Sequence, residues 1–430
     1  LSQLFYQRFI DDGDITLFSP HDVPGLYEAF GTPRFDSLYV RYENKPDIRK
    51  KTIGAQELIL DLLKERAETG RIYIMNIDHC NSHSSFTDKV TMSNLCQEIT
   101  LPTKPLNHID TEDGEIALCI LSAINVGKIN RLDELESLCD LAVRGLEELI
   151  DYQDYPIPAA QNSTLNRRSL GIGYIGFAHY LAKNGAKYDS QEALTLTHDL
   201  TEAFQYYLLK SSNEIAKEKG ACKYFRFTKY ATGILPIDTY KKEVDELVEP
   251  QYKYDWDSLR DDIKQYGLRH STLSAQMPSE SSSVVSNATN GIEPPRDYLS
   301  IKKSKKGPLK QIVPSYGSLK NNYTLLWDMS SNEGYIKVIA IIQKFFDQAI
   351  SGNWSYNPEN YPDNEVPVSV MAQDLLTTYK YGWKTSYYQN THDMKSDEVV
   401  DVSQKSNTEL ENLLNSLEQS EEGECESCAV

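Results

Sequence analysis

The stretch SNLCQEITLPTKPLN, residues 93–107, places an amide, a thiol and a carboxylate at every second position: Asn94, Cys96 and Glu98. In an extended segment successive side chains alternate faces, so the three point the same way. The spacing predicts one site shared by a thiol, an amide and a carboxylate.

Other stretches carry reactive groups too. Gly171, Gly173 and Gly176 fit G-x-G-x-x-G, and Asp189 lies near the distance at which a dinucleotide fold places its ribose-binding acid. That motif should follow a hydrophobic strand, yet Asn166, Arg167, Arg168, Ser169 and Leu170 precede it. Glycines needed for close backbone packing are the plainer reading. MPSESSSVVSNATNGIEPP, residues 277–295, groups four serines between Ser279 and Ser283 behind Pro278, which suits either a helix cap or a phosphate held by hydroxyls and amides. Lys302, Lys303, Lys305 and Lys306 read as a solvated loop ending at Gly307-Pro308. Tyr387 and Tyr388 are adjacent phenols, which can exchange an electron and a proton when stacked. With 28 tyrosines in the chain, about two adjacent pairs arise by chance, and Tyr206-Tyr207 is the other. Cys425-Glu-Ser-Cys428 lacks two further zinc ligands nearby and suits thiol–disulfide exchange on a polar tail.

The elements that must position these groups alternate between helical and strand-like patterns, an α/β signature. An amphipathic helix over 52–70 stops at Gly70, and strand-like RIYIMNID follows. A helix containing Leu196, Leu200, Phe204 and Leu208 stops at Gly220; VIAIIQKFFDQAI reads as a helix ending at Ser351 and Gly352; a further one runs from about Val368 to Gly382, before strand-like KTSYYQN. Beyond about Asp393 the chain turns polar and acidic, so residues 1–393 are expected to form the folded domain and 394–430 a flexible tail. The formal charge of −19 argues against a nucleic-acid partner. No apolar run approaches the roughly 20 residues of a membrane helix, and seven cysteines are too few for a disulfide scaffold, so a cytoplasmic protein is expected. LSQLFYQRF already reads as the interior of a folded chain, so a fragment is expected as well.

Taken in order, DDGDITLFSPHDVPGLYEAF, RIYIMNIDHCNSHSSF, SNLCQEITLPTKPLN, GEIALC, NRRSLGIGYIGFAHYLAKNG, MPSESSSVVSNATNGIEPPR, KTSYYQNTHD and the tail cysteines resemble the large, catalytic subunit of class I ribonucleoside-diphosphate reductases, over its C-terminal portion. The resemblance implies part of a ten-stranded α/β barrel with a central finger loop carrying Cys96. It implies a thiyl radical on Cys96 that takes the ribose 3′ hydrogen, Glu98 as general base, Asn94 as a ribose hydrogen-bonding group, and Cys119 as one half of the reducing dithiol. The other half would lie in an N-terminal portion that this chain lacks, along with the ATP/dATP effector sites. Ser279, Ser281 and Ser282 would bind the substrate diphosphate, Tyr387 and Tyr388 would pass the radical inward, and Cys425 and Cys428 would reload the dithiol from thioredoxin or glutaredoxin. Many relatives separate the tail cysteines by four residues, whereas here two intervene. The chain would bind no cofactor or metal itself, the radical coming from a metal-containing small subunit. Cys80, Cys139 and Cys222 are expected to be packing residues. A cobalamin-dependent or glycyl-radical reductase, a non-catalytic fragment that binds the small subunit, and a nicotinamide dehydrogenase are the competing readings.

Overall fold

Ala55, Ile59 and Leu63 recur at helical spacing and are buried along one face of the helix Ala55–Thr69, which Gly70 terminates at φ 70°. This computed structural model describes residues 1–304 and 307–392, so Cys425, Cys428 and the expected tail lie outside the described residues. The long helix Gln191–Lys219 begins where the Ser190 side chain accepts from the amide of Ala193, and gives way to Gly220 at φ 85°. Val368–Lys380 follows Pro367 and ends just before Gly382, at φ 81°. Among the described residues no helix is long and apolar enough to cross a membrane.

One expected helix is shorter than its sequence suggests. Glu333–Phe345 stops at Phe346, and 347–351 bends at Asp347 and Gln348 and bridges at Ile350 instead. The side chains there are committed elsewhere: the Asp347 carboxylate accepts from the amides of Leu273 and Ser274, at 3.0 and 2.9 Å, and Gln348 N donates to Ser274 O at 3.1 Å. Pairing with a distant segment outweighs the local helical pattern.

That pairing belongs to an arc of backbone neighbours. Strand Leu121–Asn125 pairs in parallel with Gly171–Ile175, whose Ile172 bridges in parallel to Ser274. Gln276 bridges in parallel to Ile350, Tyr387 N donates to Gly352 O at 2.7 Å, and Trp354–Tyr356 pairs in parallel with Gln389–Thr391. Ile74–Met75 closes the series against Thr385–Ser386, antiparallel. Of the strand-like run RIYIMNID only these two residues are strand, because Ile77–Ser82 turns helical. The described strands fall into five two-stranded sheets, three of which these contacts link into an α/β arc whose pairings do not close it into a ring, while Asp14–Phe18 with Lys50–Gly54 and Leu299–Ser304 with Gly307–Ile312 stand apart. Helices pack on the arc's outer side, where Tyr174 meets Phe177, Phe204 and Phe346.

The glycine motif has its account here. Gly171 and Gly173 lie inside the strand rather than in a strand-to-helix turn, and Gly176, at φ 76°, caps the short helix Phe177–Lys183. The amides of Gly176 and Phe177 donate to the carbonyls of Thr289 and Gly291, so the helix start is already occupied by protein. A side chain at Gly171 would press on Leu121, Ala275 and Ile99, and one at Gly173 on the Ala275 carbonyl. The glycines serve close backbone packing, not a dinucleotide. Cys80, Cys139 and Cys222 are buried, as expected of packing residues. The lysine-rich stretch is not a plain loop: Lys302 and Lys303 belong to the strand Leu299–Ser304, which pairs with Gly307–Ile312 as a hairpin, while Lys305 and Lys306 lie outside the described residues.

Gly173→Ala is expected to lower unfolding stability by about 1–3 kcal/mol, since its Cβ would sit 2.6 Å from a backbone oxygen in a strand with no room to yield. Urea unfolding monitored by circular dichroism measures this; an unchanged midpoint would show that the strand can shift.

Candidate active site

Asn94, Cys96 and Glu98 do come together, but not by strand alternation. Gln97 N donates to Asn94 O at 3.2 Å, and Gln97 adopts a left-handed φ of 71°, so 94–97 is a tight turn with Cys96 at its bend. Extended geometry would have left the backbone at 94–97 without this bond. The turn is pinned on the inner side of the arc by Ala349 N donating to Glu98 O at 3.0 Å and Thr100 N donating to the Gln348 side chain at 3.2 Å. Ile99 and Leu101 anchor it in a small apolar cluster with Phe86, Val90 and Ala275.

Within the turn each polar group is engaged. Ser351 Oγ donates to Cys96 O at 2.5 Å and lies 3.1 Å from the Glu98 carboxylate, which is buried. Asn94 Oδ1 accepts from Ile99 N at 3.1 Å, which turns Nδ2 toward Cys119 Sγ at 3.6 Å. Cys119 is exposed and has no disulfide partner among the described residues. Partial loss of water around the sulfur, followed by the charge of Glu98, pushes the thiol above an ordinary cysteine, and the Asn94 hydrogen bond pulls it partly back.

The tyrosine pair arrives from the opposite end of the described chain. Tyr387 OH donates to Cys96 Sγ at 3.6 Å, and its ring lies 3.9 Å from that of Tyr388, centroid to centroid. Tyr387 is buried, while Tyr388 reaches the surface. The phenol of Tyr387 is raised well above the ordinary tyrosine range, first by burial and then by its contacts with Tyr388 and Cys96, so it is neutral at physiological pH. Tyr73 packs against both rings, at 4.9 and 5.7 Å. Behind them the buried guanidinium of Arg66 donates to Tyr387 O at 2.8 Å, to Tyr388 O at 3.1 Å and to Ile72 O, and lies 4.6 Å over the Trp354 ring.

A cavity of about 190 Å³ opens in front of Cys96, bounded by Met277, Pro278, Glu280, Glu293 and the tyrosine pair. Of the serines, Ser279 is buried with its hydroxyl on Met277 O at 3.2 Å, so it does not cap the helix Glu280–Val285. Ser281 and Ser282 are exposed at the start of that helix. Ser351, Tyr73, Arg66 and Glu293 are given no part in the site by the sequence alone. Only Arg66 left a signal, as a charge continuing the buried stripe of Ile59 and Leu63. Among the described residues no group of three or more His, Cys, Asp and Glu side chains could hold a metal ion.

Comparison with known proteins identifies the family. The model of the ribonucleotide reductase barrel domain matches residues 1–389, and the chain belongs to that family. It is 60% identical over 407 residues to the ribonucleoside-diphosphate reductase subunit alpha of Haemophilus influenzae, covering 94% of this chain and 54% of that protein. Identity is 56% over 407 residues to the ribonucleoside-diphosphate reductase 1 subunit alpha of Escherichia coli, with the same coverage of both, and 43% over 403 residues to the subunit alpha of phage T4, covering 91% of this chain and 53% of that protein. The chain thus spans about half the length of the curated relatives it matches.

Because Glu98 helps to raise Cys119, Glu98→Gln is expected to shift the pH profile of Cys119 alkylation downward. The rate of iodoacetamide labelling of Cys119 against pH, read by peptide mass, checks this; a profile unmoved or moved upward would remove Glu98 from the thiol's environment.

Proposed function

We propose that this chain supplies the catalytic thiol, base and inner radical-transfer tyrosines for reducing ribonucleoside diphosphates to 2′-deoxyribonucleoside diphosphates, as DNA precursors. The observation that carries the reading is the contact of Tyr387 OH with Cys96 Sγ at 3.6 Å, continued by the ring of Tyr388 to the surface. A neutral phenol against a thiol can exchange one hydrogen atom with the sulfur, the electron and proton travelling together. The initiating radical would come from a separate, metal-containing small subunit docking where Tyr388 is exposed.

The rest of the chemistry follows from the groups around the cavity. With the ribose in front of Cys96, the sulfur radical removes the 3′ hydrogen and becomes S–H. Glu98 takes the proton of the 3′ hydroxyl, and Asn94 donates a hydrogen bond to the sugar. The 2′ hydroxyl then departs as water after protonation. Two electrons and two protons must enter, from a dithiol that becomes a disulfide; Cys119, on the far side of Asn94, is one of its members. Cys96 finally returns its hydrogen to C3′. Ser279, Ser281 and Ser282 adjoin in sequence Pro278 and Glu280, which line the cavity, and a diphosphate extending from the ribose would reach Ser279 by displacing its hydroxyl from Met277 O or its amide from Asn290 Oδ1.

The arc of parallel neighbours fits part of a ten-stranded barrel, with the turn at 94–97 as its finger loop. The remaining strands, the second cysteine of the dithiol and the ATP/dATP effector sites would belong to an N-terminal portion of the subunit. Cys425 and Cys428, outside the described residues, would then pass reducing equivalents from thioredoxin or glutaredoxin to the spent disulfide.

Cys96→Ser in the complete large subunit, assembled with the small subunit, is expected to abolish turnover without loss of stability, because an O–H bond is too strong to substitute for S–H. Deoxynucleotide above background from that variant would remove Cys96 as the radical carrier. Replacing Cys425 and Cys428 by serine should stop turnover driven by thioredoxin and spare turnover driven by a small dithiol that enters the site directly. Equal loss with both reductants would place the pair in the active site itself.

A further inference from the structure

Glu293 lies between the serine turn and the tyrosine pair, and both of its carboxylate oxygens are held by side-chain amides. Asn290 Nδ2 donates to Oε2 at 3.2 Å, and Asn353 Nδ2 donates to Oε1. Each amide's other end is fixed by backbone. Asn290 Oδ1 accepts from Ser279 N at 3.3 Å, and Asn353 Oδ1 accepts from Tyr388 N at 3.0 Å. Four hydrogen bonds therefore run without a break from the backbone of Ser279 to the backbone of Tyr388.

The direction of every donor in this chain is determined. A backbone N–H can only donate, so the oxygen of each asparagine must face it and the NH₂ must face inward. Two inward-facing NH₂ groups require an acceptor with two oxygens and no hydrogen between them. Glu293 meets that requirement when ionised, a state that burial and the nearby Glu280 oppose and the two asparagine hydrogen bonds favour, and a neutral amide at that position does not. A polar chain of this kind is satisfied as a whole or broken as a whole.

We infer that Glu293 is a positioning residue that couples occupancy of the diphosphate-binding turn at Ser279 to the placement of Tyr388. This rests on the functional reading above. A diphosphate engaging the Ser279 turn shifts the amide that Asn290 holds. The rigid carboxylate passes the displacement to Asn353, and Asn353 carries Tyr388. The radical path is thereby set for transfer when substrate is present. Glu293 also borders both the cavity at Cys96 and the larger one, of about 560 Å³, that lies outside Tyr388.

The experiment places a fluorinated tyrosine at position 388 of the complete large subunit, assembled with the small subunit, and follows its ¹⁹F resonance as cytidine diphosphate is added. The unmodified relay is expected to give a shift on binding. Glu293→Gln, which sets NH₂ against NH₂ on one side, is expected to lose most of that shift while binding cytidine diphosphate within about threefold of the parent. Asn353→Asp alone, which sets carboxylate against carboxylate, should lose it as well. The pair Glu293→Gln with Asn353→Asp should recover it, because amide and carboxylate have exchanged places and all four hydrogen bonds can form again. A full shift in Glu293→Gln, or no recovery in the double variant, overturns the coupling. If Glu293→Gln does not fold, Asn290→Ala decides: it cuts the relay on the serine side only, and a retained shift overturns the inference. Parent protein that does not bind cytidine diphosphate refutes the functional reading itself, whereas binding with an unmoved resonance refutes only the relay.

Discussion

The contact between Tyr387 OH and Cys96 Sγ spans 291 residues of chain, and most of the described architecture bears on holding it at 3.6 Å. Neither partner sits in a long regular element. Cys96 is in a tight turn, and Tyr387 lies between two short strands, Thr385–Ser386 and Gln389–Thr391. Both are gripped by one intervening segment: Ser351 Oγ holds the carbonyl of Cys96, and Gly352 O takes the amide of Tyr387 at 2.7 Å. Two adjacent residues thus fix the relative height of thiol and phenol. Gly352 has no alternative here, because a side chain there would meet the Trp383 ring at 2.7 Å.

The grip is backed by buried cations used as hydrogen-bond donors rather than as ion-pair partners. Arg66, which burial lowers to about 10, spends its guanidinium on the carbonyls of Ile72, Tyr387 and Tyr388. Lys384, which burial lowers to about 7, donates to the carbonyls of Asp347 and Gln348, both at 2.8 Å. Burying such groups is costly, and it is repaid only by several well-aligned acceptors. The acceptors here are carbonyls where short strands bend and end, of which Tyr388 O also accepts from Trp354 N at 2.9 Å and Gln348 O from the Gln343 side chain at 2.8 Å. The cations therefore add to the sheet hydrogen bonds along the segment that holds the site, with a fixed fork in one case and three adjustable donors in the other.

This division explains what the sequence disclosed. Helices Ala55–Thr69, Gln191–Lys219 and Val368–Lys380 were legible because apolar spacing and terminal glycines are local signals. The grouping of Asn94, Cys96 and Glu98 was also legible, but for the wrong geometric reason, since a left-handed Gln97 is invisible to period-two counting. The end of Glu333–Phe345 was misjudged because Asp347 and Gln348 answer to partners at 273–274 and at Thr100. Ser351, Asn353 and Glu293 matter through whom they touch, and residue type alone carries no trace of that. The role proposed for the tyrosine pair rests on resemblance; chance alone would have produced Tyr387-Tyr388 as readily as Tyr206-Tyr207, whose rings also meet and pack on Tyr254 and Trp256.

The two glycines that imitate a nucleotide-binding motif show how the same constraint reaches into the sheet. If the turn bearing Cys96 is to lie on the inner side of the arc, the strand beneath it must be thin. Gly171 leaves room for Ile99, three residues beyond the cysteine, and Gly173 leaves room for the Ala275 carbonyl and the side chain of Gln276. Gln276 then uses that room to bridge backbone groups, accepting from Tyr174 N at 3.0 Å and donating to Tyr174 O at 2.9 Å. Its own backbone pairs with Ala349 and Ser351. A side chain on either glycine would therefore lift the turn, or push apart the strands that carry Ser351, and in both cases separate thiol from phenol. The glycine spacing follows from the thickness of the layer between the helices and the site, and it needs no ligand to account for it.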